Sequence, residues 1–322
     1  DAKPRAPSVI QVYRGLSELP PERGGVALTI GNFDGVHRGH LAIIRRVLSL
    51  ARATQAIPTV VTFDPHPQAV LRGQAPSALI TPERKVQLLS EAGMARLVTL
   101  PFDRALSLVE PEEFIERILV KELGVKAVVV GSNFRFGHFA RGDISMLRAY
   151  GRRLGYTFQT VRILEANGRR ISSTEIRHAL GEGDIAWATL ALGRPHVVPG
   201  TVVAGAGRGR RRLGFPTANL EPPPGFCLPQ LGIYAAYLHH GGRRQPCAVS
   251  VGTNPTYGAN PISVEAHVLD FEGDLCGQNV ALELVTRLRP EKTFASEEAL
   301  TEAIASDVAA VRRLLMARET QG

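Results

Sequence analysis

The first half of the chain switches repeatedly between two hydrophobic periods. VALTI (26–30), PTVVTF (58–63), RLVTL (96–100), KAVVV (126–130) and FQTVRIL (158–164) are short β-branched runs bounded by Gly, Pro or Asp, the pattern of strands. Between them, LAIIRRVLSLARA (41–53), PERKVQLLSEAG (82–93), PEEFIERILVKEL (111–123) and GDISMLRAYGRRLG (142–155) carry apolar residues at helical spacing. Thr81 before Pro82, and Pro111 before Glu112 and Glu113, are helix start signals. Strands that are apolar throughout need cover on both faces, and alternating helices supply it. The pattern predicts an α/β doubly wound parallel-sheet domain.

After about residue 185 the punctuation changes. VVPGTVVAG, GIYAAYLHH, PCAVSVG, SVEAHVLDF and QNVALELVTRLRP follow one another across Gly-, Pro- and Asn-rich turns, with no helix until a terminal one near 296–316. This spacing predicts an antiparallel β-barrel domain with a C-terminal helix. LEPPPGF (220–226) reads as a loop. At 322 residues the chain can bury two cores. The join is expected in DIAWATLALGRP (184–195), which gives domains 1–185 and 186–322.

A net charge of +8 and a pI near 9.8 admit either nucleic acid or small polyanions as partners. Apart from GRGRRR (207–212) the arginines are scattered, and the 6% of aromatic residues do not interleave with basic ones. That leaves no platform on which single-stranded bases would stack, so small-molecule substrates are expected and nucleic acid is not. No run reaches the ~18 apolar residues of a membrane span, and DAKPRAPSVI does not read as a secretory signal. Cys227, Cys247 and Cys276 fit no zinc or redox spacing and read as reduced thiols, with the cytoplasm as the expected compartment. No feature of the sequence indicates an oligomeric state.

GNFDGVHRGH (31–40) packs two histidines, three glycines and an aspartate between the first strand and the first helix. Open α/β sheets bind ligands at such carboxyl ends of strands. Neither GxxxxGK[ST] nor GxGxxG fits, because the glycines fall at Gly31, Gly35 and Gly39. His37 and His40, three apart in the first helical turn, project to one side, where the helix start attracts an anion. The same field lowers imidazole basicity, so both rings suit neutral donors to phosphate oxygens. Gly39 leaves room for a phosphate near the backbone. Taken singly, each histidine would equally be a satisfied core or surface residue.

HxGH after a strand resembles the nucleotidyltransferase superfamily, whose members attack the α-phosphate of ATP and expel pyrophosphate. GNFDGVHRGH, TFDPHP (62–67), VVGSNFRFG (129–137), RGD (141–143) and RISSTEIRHAL (170–180) occur in the order and approximate spacing of the bacterial bifunctional riboflavin kinase/FMN adenylyltransferase family. RISSTEIR also reads unaided. Ser173 or Thr174 is placed to cap a helix, and Arg170 and Arg177 bracket its start, an arrangement suited to pyrophosphate. An ordinary capped helix has the same pattern. The resemblance implies that Gly31, Asn32, Phe33, Asp34, Gly39, His66 and Asn133 belong to the ATP and flavin site, with His37 and His40 catalytic and Phe63 bordering the flavin.

The second half carries RRLGFPTANL (211–220), where Thr217 and Asn219 offer neutral oxygens on one side of an extended segment. Mg2+ prefers oxygen ligands completed by water and phosphates, although a turn would use the same residues. In SVEAHVLDF, Glu265 shares a strand face with Leu269 and Phe271, while Val264, Ala266 and Val268 form the other. Both faces therefore read as buried, and a carboxylate there is avoided unless it is used or paired. Glu265 is a candidate base, with His267 as the alternative, a structural partner. GFPTAN, GIYAAYL, GTNPTYG and VEAHVLDF resemble the riboflavin kinase module of the same family.

That second resemblance implies Mg2+ and ATP at Thr217 and Asn219, contacts from Gly214, Phe215 and Pro216, deprotonation of the riboflavin 5′-hydroxyl by Glu265, and a glycine-rich flap at GAGRGRRR (205–212). Together the two resemblances imply conversion of riboflavin to FMN and of FMN to FAD. Two departures stand out. GRRRLGF holds one residue more than the family's usual spacing, leaving Arg210 and Arg211 both open as the phosphate ligand, and Asn254 stands where arginine is commoner.

Overall fold

The computed structural model describes residues 9–20, 25–204, 217–253 and 262–319. They form two compact units that divide between Ser173 and Thr174.

In the first unit, β1 (Gln11–Arg14), β2 (Val26–Ile30), β3 (Ile57–Asp64), β4 (Arg96–Pro101), β5 (Val125–Gly131) and β6 (Thr157–Val161) make one sheet in the order β1-β4-β3-β2-β5-β6. Every pairing is parallel. The crossovers carry α1 (Arg38–Thr54), α2 (Pro67–Arg72), α3 (Pro82–Glu91), α4 (Arg104–Ser107), α5 (Pro111–Glu113, continuing as a π-helix over Phe114–Glu122) and α6 (Ile144–Leu154). All five residues of β2 are buried, and their period of two explains why. Val26, Leu28 and Ile30 pack with Ile115, Ile118 and Leu119 on one side. Ala27 lies in the opposite core with Ile44 and Val47 of α1 and Leu88 and Leu89 of α3.

From β2 the chain adds β3 and β4 on one side, then crosses to β5 and β6 on the other. The strand order therefore reverses between β2 and β5, the point at whose carboxyl ends open α/β sheets bind ligands. β1 is the strand that the apolar-run reading omitted. QVYR is an edge strand with three exposed positions, so it lacks a hydrophobic run.

In the second unit, β9 (Val197–Val203), β10 (Ala218–Glu221), β11 (Gly232–His240), β12 (Arg243–Thr253), β13 (Ile262–Val268) and β14 (Asn279–Arg289) close into a barrel in the order β10-β13-β12-β11-β14-β9. All its pairings are antiparallel. The labels β7 (Glu165–Ala166) and β8 (Arg169–Arg170) denote a short hairpin of the first unit. Two helices precede the barrel, α7 (Ser173–Glu182) and α8 (Ile185–Leu192), and α9 (Glu297–Glu319) follows it. Val311 and Leu315 of α9 pack on Ala235 and Tyr237 of β11. The stretch expected to hold the join is α8, and the division between the units falls one helix earlier.

His196, at the start of the barrel, is 1% exposed, and its Nε2 meets the Cys227 carbonyl oxygen at 2.9 Å. Burial pushes its pKa down to about 4. The folded unit keeps this ring neutral where an unfolded chain, with a histidine pKa near ~6.5, takes up a proton. Stability is therefore lost as pH falls from about 6.5 toward 4, by about 2 kcal/mol at pH 5 from this residue alone. Urea titrations at pH 7 and pH 5 check this: wild type should lose about that much more than His196→Gln, and equal losses would contradict it.

Candidate active sites

GNFDGVHRGH leaves β2 at the sheet's switch point and turns into α1. The turn is tight. Phe33 (φ 49°), Gly35 (φ 82°) and Val36 (φ 37°) are left-handed, a conformation that costs a residue with a side chain roughly 1–3 kcal/mol and collects at functional sites. His37 is the N-cap of α1, and its Nδ1 accepts from the His40 backbone N–H at 3.3 Å. That bond fixes the tautomer: with Nδ1 accepting, the proton of the neutral ring lies on Nε2, a donor. The His37 and His40 rings stack at 3.6 Å, and Phe33 packs on His40 at 4.7 Å. His37 is buried and His40 half-buried, so His40 is the more accessible. At Gly39 a Cβ would lie 3.0 Å from His37 Cε1, so this glycine makes room for the ring stack, a reason the sequence reading did not contain.

The loop is tied down from three directions. The Asp34 carboxylate accepts from the Leu79 backbone N–H at 3.0 and 3.2 Å. The Asp34 carbonyl accepts from Ser173 Oγ at 2.8 Å. The Asn32 carbonyl accepts from Lys85 Nζ at 2.9 Å, while the Asn32 side-chain amide meets His66 Nε2 at 2.8 Å. His66 in turn caps α2 through Nδ1, which accepts from Gln68 N–H at 3.1 Å. Lys85 was not singled out from the sequence. Burial pushes its ammonium below the usual lysine range, against the opposing pull of Asp34 and Asp64. Asn133 follows β5 across the switch point, its Oδ1 3.2 Å from where a Cβ on Gly131 would stand.

A cavity of about 580 Å3 reaches Ile30 at the end of β2 and is walled by Phe63, Phe102, Phe114, Phe134 and Phe136. Phe63 and Phe102 meet edge to face at 5.6 Å. Such a volume suits a drug-sized planar ligand. Of these rings only Phe63 was picked out from the sequence, because the others are scattered along the chain.

Ser173 is the first residue of α7, and its hydroxyl donates to the Asp34 carbonyl, a tie to the first loop that the sequence reading did not contain. Arg170 is exposed on β8. Thr174 (exposed) and Arg177 (half-buried) follow on α7, within the second unit.

In the barrel, Glu265 on β13 stands opposite Asn219 on β10 and Ser250 on β12. Thr217 Oγ1 donates toward Glu265 Oε2 at 3.4 Å. The other face of β13, Val264, Ala266 and Val268, is buried, whereas Ser263, Glu265 and His267 are half-buried. The expectation of two buried faces is thus corrected. Glu265 and His267 line an open cavity of about 250 Å3 with Thr217, Ser250, Arg289 and Phe294, and the carboxylate is not sealed from water. Arg289 grips Asp307 of α9 through two bonds, 3.0 Å from Nε and 2.7 Å from a terminal nitrogen. This clamp fixes α9 beside the cavity. Gly214, Phe215, Pro216, the flap 205–212 and Asn254 lie outside the described residues.

The chain matches the FAD synthetase family model over residues 19–175 and the riboflavin kinase model over residues 192–315. It is 38% identical over 306 residues to a bifunctional riboflavin kinase/FMN adenylyltransferase of Pseudomonas fluorescens, covering 95% of this chain and 98% of the relative. This chain belongs to the bifunctional riboflavin kinase/FMN adenylyltransferase family. The family's Escherichia coli (strain K12) member is 36% identical, with 93% of this chain and 95% of that one covered. The crystal structure of a macrolide-efflux protein from Streptococcus pneumoniae has the same architecture, with a TM-score of 0.85, 26% identity and coverage of 95% and 99%. Among the described residues no helix is long and apolar enough to cross a membrane.

The parallel-sheet unit brings together Asn32, Asp34, His37, His40, His66 and Ser173 around one loop, and the barrel brings Thr217 and Asn219 to Glu265. Lys85, the aromatic walls beyond Phe63, and the Arg289–Asp307 clamp were missed.

Proposed function

We propose that the two units divide two ATP-dependent steps. The barrel phosphorylates riboflavin to FMN, and the parallel-sheet unit joins FMN to the adenylyl group of ATP, giving FAD and pyrophosphate. The observation that carries this division is chemical. The barrel cavity holds a carboxylate beside neutral oxygens, whereas the carboxylate of the first loop, Asp34, is turned to the backbone of Leu79.

Riboflavin presents a primary alcohol, which needs a base. Glu265 takes the 5′-hydroxyl proton as that oxygen attacks the γ-phosphorus of ATP and ADP departs. Thr217 and Asn219 are the residues that would hold Mg2+. Both supply neutral oxygens beside the Glu265 carboxylate, which suits an ion that arrives with ATP and takes its other ligands from phosphate and water. When bound, the ion neutralises charge on the β- and γ-phosphates. Gly214, Phe215 and Pro216 are assigned to ATP and flavin contacts.

FMN presents a phosphate whose second pKa, near ~6, leaves it mostly dianionic at neutral pH. No base is required, and the obstacle is repulsion between anions. His37 Nε2–H and the His40 ring donate to the α-phosphate as a phosphate oxygen of FMN attacks it, an electrostatic contribution made by groups already in place. Asn32, Phe33, Asp34, Gly31 and Gly39 shape this pocket, and His66 and Asn133 flank it. Arg170, Thr174 and Arg177 are assigned to the pyrophosphate, Ser173 to holding the loop, and the aromatic cavity with Phe63 to the isoalloxazine. The assigned compartment is the cytoplasm, where an exposed thiol such as Cys276 stays reduced.

Incubation with riboflavin, ATP and Mg2+, followed by chromatographic separation of flavins, tests the reading. FMN should appear first and FAD after it, with one pyrophosphate released per FAD. Absence of FMN would reject the kinase half, and FMN without FAD would reject the adenylyltransferase half.

A further inference from the structure

One wall of the aromatic cavity is not core. Phe139 lines it yet is 83% exposed, the most exposed of the cavity's large apolar residues, alongside Leu71 at 62% and Leu108 at 50%. Exposed apolar side chains, with the exposed Arg72 and Arg135, thus line a cavity already walled by phenylalanines. A large aromatic ring left in water is unfavourable unless something covers it.

The exposure does not come from a loose loop. The backbone is left-handed at Gly137 (φ 70°), Phe139 (φ 53°) and Ala140 (φ 55°), and at the last two a side chain is strained. At Gly137 a Cβ would lie 2.7 Å from Pro111 Cγ, so only glycine lets the segment pack so closely. His138 N–H donates to the Val109 carbonyl at 2.8 Å, and Ala140 N–H to the Gly137 carbonyl at 2.9 Å. Glu110 accepts from Arg141 and meets His138 Nδ1 at 3.1 Å. The segment is fixed on both sides of residue 139, and the fixed backbone holds Phe139 out at the rim. The His138 ring backs it, stacked at 4.0 Å and 26°.

We propose that Phe139, backed by His138, is a specificity-determining residue of the first unit, stacking on a planar fused heteroaromatic ring as it enters the cavity. This rests on the reading that the unit adenylylates FMN, whose isoalloxazine is such a ring. Strain held at an exposed aromatic is explained if that side chain meets ligand, and pre-positioning it reduces the ordering cost of binding.

The test is steady-state adenylyl transfer by the full chain carrying Phe139→Ala or Phe139→Tyr, with thermal melts of each. Phe139→Ala is expected to raise KM for FMN about tenfold, leaving KM for ATP, riboflavin phosphorylation and melting temperature near wild type, and Phe139→Tyr is expected to restore KM for FMN to within twofold. A purely structural role would move the melting temperature or both KM values together, and that result would overturn the proposal, as would a KM for FMN within twofold of wild type in Phe139→Ala. Failure of wild type to make FAD from FMN would instead overturn the functional reading beneath it.

Discussion

Glu265→Gln is expected to slow riboflavin phosphorylation by about two to four orders of magnitude, the range of a general base, while adenylyl transfer to FMN stays within twofold of wild type. Glutamine keeps the volume and one oxygen acceptor, so Thr217 Oγ1 retains a partner at the position it now approaches at 3.4 Å. What is lost is the ability to accept the 5′-hydroxyl proton. Because β13 keeps its buried Val264, Ala266 and Val268 face, the barrel should fold as before. KM for riboflavin should change little, since the defect lies in proton removal rather than in holding the ring. Separate assays with riboflavin and with FMN as the starting flavin check both halves.

His40→Ala is expected to lower the rate of adenylyl transfer by about 10²–10³, the loss typical of one preorganised donor to a developing anion, with riboflavin phosphorylation unchanged. Of the two stacked imidazoles, His40 is the better test. His37 caps α1 through its side chain, so its removal would also cost helix stability of about 1 kcal/mol. The backbone N–H of residue 40, which His37 Nδ1 accepts from, survives the change to alanine, so the cap and its fixed tautomer remain. Pyrophosphate release, followed with FMN and ATP supplied, measures the defect directly.

Much of this architecture was readable from residues alone, for identifiable reasons. The central strands of the first unit are buried on both faces, so they appear as nearly unbroken apolar runs, and AVVV (127–130) is the clearest of them. The switch from helix–strand alternation to strands alone marked the barrel. What was hidden lies where neighbours in space are far apart in sequence or where local pattern is weak. Edge strand β1 shows no hydrophobic run. Lys85 reaches the carbonyl of Asn32 across 53 positions, and Arg289 reaches Asp307 only because α9 folds back. The phenylalanines of the cavity are spread from Phe63 to Phe139 and share no common spacing.

The candidate chemistry was legible where one short motif contains several participants. GNFDGVHRGH holds a cap, a ring stack and a buried carboxylate tie within ten residues. Glu265 was found for a partly mistaken reason. Its strand face was expected to be sealed, but it forms the wall of an open cavity. The carboxylate still stood out, because a single acid amid valines and alanines is conspicuous whichever way its face turns.

The account depends on two independent sites in one chain, one activating an alcohol and one gathering anions. Its most direct test is to assay Glu265→Gln and His40→Ala side by side, each given riboflavin in one reaction and FMN in another, with folding checked by circular dichroism. The prediction is reciprocal: Glu265→Gln turns FMN into FAD but leaves riboflavin untouched, and His40→Ala accumulates FMN from riboflavin but makes almost no FAD. Loss of both reactions in either folded variant would contradict the division of labour between the barrel and the parallel sheet.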